Sequence, residues 1–349
     1  MMKMKKYLFY LLTLLIGWSC TQQEQDFPTG SSGYISFSSP LVELTGISSR
    51  APITGTSFSE GTFGVLGYCL AHGDVNSGTT AWENKKTYAN PHVFYNQKVN
   101  AVDGTYIATS GTTETEIKGG KAPWYGNNDY LYTFFAYYPY SSWGISPNSM
   151  SAIGVPLVTY TVNADMINQN KIPDLMAAAL IDKKKDEGSL TFTFKHLLSG
   201  LNVKIINNTD NNVEVESLTL SGTFHQKLAV GLDLIPNVSG SISNGTFNYG
   251  SFAVNANDAV SSSTLLLPTS GESFSPSGNV GLTVSVKYNM GTGNKTFTSS
   301  LSELASFTPQ AGVIYTLNIV FAGNNVTFYA TPDNAQTWED GVNDEVVFQ

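Results

Sequence analysis

The residues able to carry catalysis are few and scattered along this chain. The four histidines are His72, His92, His196 and His225, and none belongs to a His-Glu-x-x-His motif or to a paired-cysteine spacing that would hold a metal ion. The phosphate-binding loop that ends in Lys-Ser/Thr and the Gly-x-Ser-x-Gly nucleophile turn are also missing from the sequence. We therefore expect no enzyme, no cofactor and no metal site.

Acidic residues do not change this expectation. Glu114 with Glu116 and Glu214 with Glu216 have the i, i+2 spacing that puts both carboxylates on one face of a strand, where exposure to solvent explains them. The acidic residues near the C-terminus lack the regular spacing of a calcium loop.

Aromatic residues offer a second kind of chemistry, because their faces stack on sugar rings. The stretch Tyr130–Tyr140 has apolar side chains on both faces of a strand, which favours a central, doubly covered strand over a binding platform. Trp82, Trp124 and Trp143 stand in loop-like contexts and are candidate glycan contacts.

The basic residues comprise 17 lysines and a single arginine, Arg50, in a chain of net charge -9. Without a basic stripe to neutralise phosphates, the chain is not expected to bind nucleic acid. Arg50 lies in a polar stretch rich in small residues, and Pro52 favours an extended Ala51. An arginine-specific protease would therefore cut at this one place, whereas the alternative is a surface arginine of no special use.

The N-terminus is typical of a secretory signal. Lys3, Lys5 and Lys6 precede an apolar run of ten residues, 7–16, which is too short to span a bilayer. Cys20, with the small residues Ser19 and Gly17 one and three positions before it, resembles the lipidated cysteine of a bacterial lipoprotein. An ordinary signal peptide with an accidental cysteine is the alternative. The remaining cysteine, Cys69, has no partner for an internal disulfide and lies in an apolar run typical of a buried strand.

Past residue 30, short apolar runs alternate with Gly, Asn, Ser, Pro and Asp, which is typical of an all-β protein built from sandwiches. Helical periodicity is scarce, with weak candidates at Ala177–Ile181 and Leu301–Ala305. The charge run Asp182–Gly188 predicts a domain boundary, or alternatively a solvated hairpin tip within one domain. The strand candidates are Gly33–Phe37, Phe63–Leu70, Tyr130–Tyr138, Leu190–Phe194, Leu201–Ile206, Val213–Leu220, Leu265–Leu267, Gly281–Tyr288, Ile314–Phe321 and Val326–Ala330.

Several segments, in order along nearly the whole exported chain, resemble the fimbrillin family of Bacteroidales, which are lipoprotein precursors of type V pili and related fimbrial subunits. No single motif is specific, and their order together with the lipoprotein-like start carries the resemblance. They are Arg50-Ala-Pro-Ile-Thr-Gly-Thr, Phe63-Gly-Val, Phe135-Ala-Tyr-Tyr-Pro139, Phe194-Lys-His-Leu-Leu-Ser-Gly-Leu-Asn-Val203, Phe307-Thr-Pro, Tyr315-Thr-Leu-Asn-Ile319 and the Trp338-Glu-Asp-Gly341 ending.

The resemblance implies two tandem transthyretin-like β-sandwiches behind a lipoprotein signal peptide. Residues 1–19 would be the signal peptide and residues 20–50 a propeptide that carries a removable first strand. The domains would be 51–188 and 189–349. The precursor would be lipidated at Cys20, held by the outer membrane, and cut between Arg50 and Ala51 by an arginine-specific protease.

Removal of the first strand would then open a groove that a strand of another subunit can fill. The apolar side chains expected to fill it first are those of Tyr34, Ile35, Phe37, Leu41, Val42 and Leu44. The region 326–349 is the candidate donor, with the apolar residues Val326, Phe328, Ala330, Trp338, Val346, Val347 and Phe348; alternatively it forms the last strands of the C-terminal domain.

The expected partners are other fimbrial subunits, with a host or bacterial surface ligand as a further candidate. The sequence leaves open whether the chain is a stalk, anchor or tip subunit. A surface glycan-binding lipoprotein that uses the three tryptophans is the alternative function.

Overall fold

The computed structural model describes fourteen stretches of the chain. They are residues 33–43, 57–71, 80–107, 123–124, 130–140, 144–225, 227–232, 236–237, 242–262, 264–267, 282–291, 293–300, 311–332 and 344–346. Contacts group residues Tyr34–Gln349 into one compact unit.

Strands dominate the described residues, and the two α-helices are one turn long. The helices are α1 (Ala81–Lys85) and α2 (Ala164–Asn168), and the side chains of Thr80 and Asn163 cap their N-termini. The strands are β1 (Leu41–Val42), β2 (Thr62–Ala71), β3 (Phe94–Asn100), β4 (Tyr130–Tyr138), β5 (Ile145–Pro147), β6 (Leu157–Thr161), β7 (Met176–Lys183), β8 (Thr193–His196), β9 (Ser199–Asn207), β10 (Val213–His225), β11 (Lys227–Gly231), β12 (Pro236–Asn237), β13 (Ile242–Val254), β14 (Asp258–Ser261), β15 (Leu265–Leu267), β16 (Leu282–Asn289), β17 (Asn294–Ser300), β18 (Ile314–Ala322), β19 (Asn325–Pro332) and β20 (Asp344–Val346).

These strands pair into four sheets. Two sheets have six strands. The first has the order β1-β8-β7-β4-β2-β3, and the second has the order β14-β9-β18-β19-β20, with β15 as its sixth strand paired with β9. Two have four strands, in the orders β13-β10-β16-β17 and β12-β11-β6-β5. The prediction of an all-β sandwich fold is confirmed.

The central strand β4 is buried on both faces, as its sequence predicts, because β2 and β7 flank it and cores lie on both sides. The helical turn expected at Ala177–Ile181 is wrong, since these residues belong to β7. Ala178 and Ala179 pair with Ala136 and Phe135 of β4, so small side chains of β7 lie beside a strand crowded with aromatic rings. Tertiary pairing here overrides the helical preference of alanine.

The charged stretch Asp182–Gly188 connects two neighbouring strands of one sheet, because β7 pairs with β8 antiparallel through Met176 and His196. The same sheet therefore continues across residue 188, which is what the alternative of a hairpin tip within one domain predicts. Pairing also crosses this position, since β6 pairs with β11 along Leu157–Thr161. The division into domains 51–188 and 189–349 stays a prediction.

Two clusters of buried apolar residues form the core. The larger one draws on both halves of the chain, from Leu66 to Phe328. The smaller one lies on the other face of the first sheet and is rich in aromatic rings, among them Phe63, Phe134 and Phe194. It also includes Ile35 and Phe37 from the beginning of the described chain. Within the described residues, no helix is long and apolar enough to cross a bilayer.

Candidate functional site

The edge of the first six-stranded sheet holds the N-terminal segment, which we define as residues 34–43. Its backbone runs parallel to residues 190–194 and pairs with them, with a one-residue shift of register between Phe37 and Leu41. The amides of Ser38, Leu41 and Glu43 donate to the carbonyl oxygens of Leu190, Phe192 and Phe194 at 2.8–3.0 Å. The amide of Leu190 donates in return to the carbonyl of Ser36 at 2.9 Å. The N-terminal segment is thus an extended stretch, including β1, whose main chain is hydrogen-bonded to the edge of the sheet.

Three apolar side chains of this segment point into the aromatic core. Ile35, Phe37 and Val42 are 0%, 6% and 3% exposed. Each such side chain contributes about 1.5–3 kcal/mol when it is fully buried. Loss of the segment would therefore uncover a contiguous apolar surface and a row of unpaired backbone groups.

The ring of Phe37 is surrounded by four other aromatic rings. Its centroid lies 5.1 Å from that of Phe192, 5.7 Å from Phe134, 5.8 Å from Tyr106 and 6.0 Å from Phe94. The ring of Phe134 meets Phe37 edge to face, at an interplanar angle of 86°. Because aromatic pairs at these separations add to the free energy of burial, Phe37 is the main anchor of the segment.

Polar contacts fix the segment on its other side. The hydroxyl of Tyr106 donates to the carbonyl of Ile35 at 2.7 Å, and the hydroxyl of Ser39 donates to the carbonyl of Val102 at 2.7 Å. Burial raises the pKa of Tyr106, so its phenol stays protonated and able to donate. Lys195 and Glu43 form an ion pair at 3.0 Å, which contributes little because both side chains are substantially exposed.

Metal-binding geometry is missing from the described part of the chain. It holds no group of three or more His, Cys, Asp or Glu side chains able to bind a metal ion. His196 contacts both carboxylate oxygens of Asp174 through Nδ1, at 3.0 and 2.9 Å, and both side chains are buried. His196 is thus a buried, hydrogen-bonded structural histidine.

A comparison with protein families identifies the chain. The family model described as fimbrillin-like matches residues 71–332, which is about three quarters of the sequence. The chain belongs to the fimbrillin-like family. Members of this family are fimbrial, structural proteins, so the prediction that the chain is not an enzyme is confirmed. Family membership also makes it an exported, cell-surface protein that associates with other fimbrial subunits.

Solved structures support the fold of this fimbrillin. A fimbrial protein from Bacteroides vulgatus is 18% identical, with a TM-score of 0.55, and the match covers 78% of this chain and 91% of that one. A cell adhesion protein from Bacteroides ovatus is 14% identical, with a TM-score of 0.51, and the match covers 91% and 99%. No curated protein sequence matches this chain.

The predicted processing residues of the fimbrillin lie outside the described part of the chain. These are Cys20, Arg50 and Ala51, together with Leu44 of the expected first strand. Arg50 follows Glu43, the last described residue of the N-terminal segment, by seven positions. Of the apolar residues expected to fill the groove, Tyr34 and Leu41 are instead 44% exposed, because their side chains point away from the core.

Two of the predicted glycan contacts are core residues. Trp82 is buried in α1, with its ring centroid 4.9 Å from those of Tyr68 and Phe135. Trp124 is also buried, 4.7 Å from the ring of Tyr132. Rings buried in this way do not present a face on which a sugar can stack, so this expectation is corrected for both. Trp143 lies outside the described residues.

The candidate donor region divides into two parts. Val326 and Phe328 are buried in β19, which pairs with β18 over eight residues, and Ala330 packs against the same core. Release of this strand would break the middle of a sheet, so these three residues belong to the C-terminal core and not to a donor. Val346 lies in β20, a short edge strand on β19, while Trp338, Val347 and Phe348 lie outside the described residues.

Sequence reasoning missed the residues that hold the N-terminal segment from outside. Tyr106, Ser39 and the turn near Val102 are polar or isolated in the sequence, and no periodic pattern marks them. The alternation of Ile35 and Phe37 was the signal for the apolar side of the same site.

Proposed function

We propose that this fimbrillin is a structural subunit of a type V pilus that assembles by protease-triggered strand exchange. A cut after Arg50 would free residues 20–50, and the N-terminal segment would leave the sheet edge. A strand of another subunit would then take its place and extend the fibre head to tail. The observation that carries this proposal is the attachment of the segment through main-chain hydrogen bonds and a few buried apolar side chains.

The energetics favour replacement over a lasting vacancy. An emptied groove would leave the backbone groups of residues 190–194 unpaired and expose the pocket of Phe37 to water. A donor strand that restores the main-chain hydrogen bonds and fills the pocket makes the same kinds of stabilising contact as the first strand. The contacts before and after exchange are therefore similar in free energy. The cut makes the exchange effectively irreversible, because the freed segment can diffuse away.

The donor that fits this scheme is the part of the chain beyond Pro332. β20 pairs with β19 through three residues, from Asp344 to Val346, so few hydrogen bonds oppose its release. Trp338, Val346 and Phe348 supply apolar side chains in this stretch. Stalk, anchor and tip positions differ in whether this donor is used.

The proposed pathway begins at the membrane. Cys20 would carry the lipid that anchors the precursor to the outer membrane, and an arginine-specific protease would release the processed chain into the fimbria. A ligand on a host or bacterial surface remains a candidate partner of the assembled fibre. With Trp82 and Trp124 in the core, no observation favours the glycan-binding alternative.

The test is assembly of Arg50 variants in the native bacterium. Arg50→Ala should leave the precursor uncut and remove the chain from sheared surface fibres, as followed by immunoblot of cells and of fibres. Arg50→Lys is the matched control for charge, because an arginine-specific protease cuts poorly after lysine while the surface charge is kept. Normal amounts of either variant in fibres would contradict processing at this residue.

A further inference from the structure

A tight turn contacts the N-terminal segment on the side away from β8. We call residues 101–106 the clamp turn. The hydroxyl of Ser39 donates to the carbonyl of Val102 in this turn, and the hydroxyl of Tyr106 in the turn donates to the carbonyl of Ile35, both at 2.7 Å. These contacts involve either the main chain or a small hydroxyl. The clamp turn therefore recognises the course of an extended backbone more than the identity of its side chains.

Gly104 brings the clamp turn against the segment more closely than any other residue type allows. A Cβ atom at this position would overlap the carbonyl oxygen of Phe37 and would lie 2.7 Å from the carbonyl oxygen of Ser38. Gly104 also has a φ of 75°, in the left-handed region that favours glycine. Two independent constraints, space and backbone conformation, thus select glycine where the turn meets the segment.

The clamp turn is built from its own hydrogen bonds and does not depend on the segment for its shape. The amide of Asn100 donates to the carbonyl of Thr105 at 2.8 Å, and the amide of Gly104 donates to the carbonyl of Asn100 at 2.9 Å. Asp103 accepts both the amide and the hydroxyl of Thr105. A surface preorganised in this way loses little conformational entropy when an occupant binds.

The apolar contacts add a requirement on sequence. The site of Ile35 is fully buried, and two positions later the ring of Phe37 fills a pocket made of four aromatic residues. Two positions further, Ser39 supplies the hydroxyl that the clamp turn accepts. The occupant therefore carries the pattern aliphatic-x-aromatic, which Val346 and Phe348 of the proposed donor region also have. A hydroxyl two positions further on adds one contact.

We propose that the clamp turn and residues 190–194 together form a binding site for one kind of partner, an extended peptide segment with this pattern that runs parallel to β8. The inference rests on the proposed function, because it takes the N-terminal segment as a removable occupant. Gly104 and Tyr106 determine its affinity and Phe37 is the anchor of the bound peptide. A cut segment stays in place until a segment of the same pattern displaces it.

The test is peptide exchange in the full chain with an engineered cut. A recognition sequence for a site-specific viral protease replaces residues 44–50, the purified chain is cut, and a fluorescent synthetic peptide of residues 34–43 is added in excess. Size-exclusion chromatography in sub-denaturing urea then measures the labelled peptide that co-elutes with the chain. The Phe37→Ala peptide should enter at least about tenfold less, because it lacks the aromatic anchor, whereas the Leu41→Ala peptide should enter like the original because the Leu41 side chain is exposed.

Variants of the chain test the clamp turn. Tyr106→Phe should speed release of the labelled peptide about fivefold through loss of one hydrogen bond, and Gly104→Ala should speed it by about tenfold or more. Gly188→Ala is the matched control, because Gly188 has a φ of 77° and open space around its Cβ position. It shares the positive φ with Gly104 but lacks the clash.

Three results would overturn the proposal. They are no entry of peptide under conditions that release the cut segment, equal entry of the Phe37→Ala peptide, and equal release from the Gly104→Ala and Gly188→Ala chains. The engineered cut makes these results independent of Arg50. Failure of processing in the bacterium and failure of the peptide site are therefore distinguishable.

Discussion

At the scale of single residues, Phe37 determines how firmly the N-terminal segment is held. Its pocket is lined by rings from β3, from β4, from the residue just before β8 and from the clamp turn, so one side chain joins elements distant in the sequence. Leu41, four residues later, has an exposed side chain and is the matched control.

Phe37→Ala should lower the free energy of unfolding of the uncut chain by about 3–5 kcal/mol, because a large buried ring is lost and its pocket stays partly empty. Urea denaturation followed by tryptophan fluorescence measures this change. Leu41→Ala should shift it by less than about 0.5 kcal/mol, because the Leu41 side chain is exposed. Similar losses for both variants would mean that the segment is not anchored through Phe37.

The buried pair of Asp174 and His196 is a second residue-scale determinant of stability. His196 is the last residue of β8, the strand that receives the N-terminal segment. Asp174→Ala should cost about 3 kcal/mol, because it removes a buried partner of a buried polar side chain. The exposed pair of Lys183 and Glu187 provides the control, and Glu187→Ala should cost less than about 1 kcal/mol in the same denaturation experiment.

At the scale of elements, alternation in the sequence predicts much of the fold. The run Tyr130–Tyr138 is β4 without a change of bounds, and Leu265–Leu267 is β15. The prediction fails for β7, whose alanines favour a helix in isolation, because its strand state depends on β4 and β8 beside it. The clamp turn cannot be predicted for a related reason. Its role depends on its contacts with a distant segment, and sequence patterns do not show contacts between distant segments.

The clamp turn should make release of the cut segment depend on acid. Hydrogen bonds from the amide and then the hydroxyl of Thr105 hold the pKa of Asp103 below its ordinary value. A carboxyl group with a lowered folded pKa stabilises the turn above its unfolded value near 3.9. That contribution is lost as the pH falls through the folded pKa.

Release of the cut segment should therefore accelerate below about pH 4. Its rate can be followed by the fluorescence polarisation of a labelled segment across a pH series. The Asp103→Ala chain should release the segment faster at neutral pH and show a weaker acid dependence than the original chain. Parallel pH profiles for the two chains would exclude a role for Asp103.

At the scale of the whole molecule, the two halves of the chain share a sheet. The strand β6 from the first half pairs with β11 from the second, with Val158 opposite Val230. Because Val158 and Tyr160 are fully buried, loss of the second half would expose apolar side chains and an open strand edge.

A chain that ends at residue 198 should therefore be unstable or self-associate, although it contains the entire first sheet. Circular dichroism on heating and size-exclusion chromatography measure this against the full chain. A cooperative, monomeric melt of the shortened chain would instead support the predicted domain boundary near residue 188.

The central claim is that the N-terminal segment leaves before the chain enters a fibre. Fibres sheared from the bacterial surface can be purified, digested and analysed by mass spectrometry for the N-terminus of this chain. The account predicts a chain that begins at Ala51, with peptides of residues 34–43 missing from the fibres. Fibres whose subunits begin at a lipid-modified Cys20 and retain residues 34–43 would contradict it.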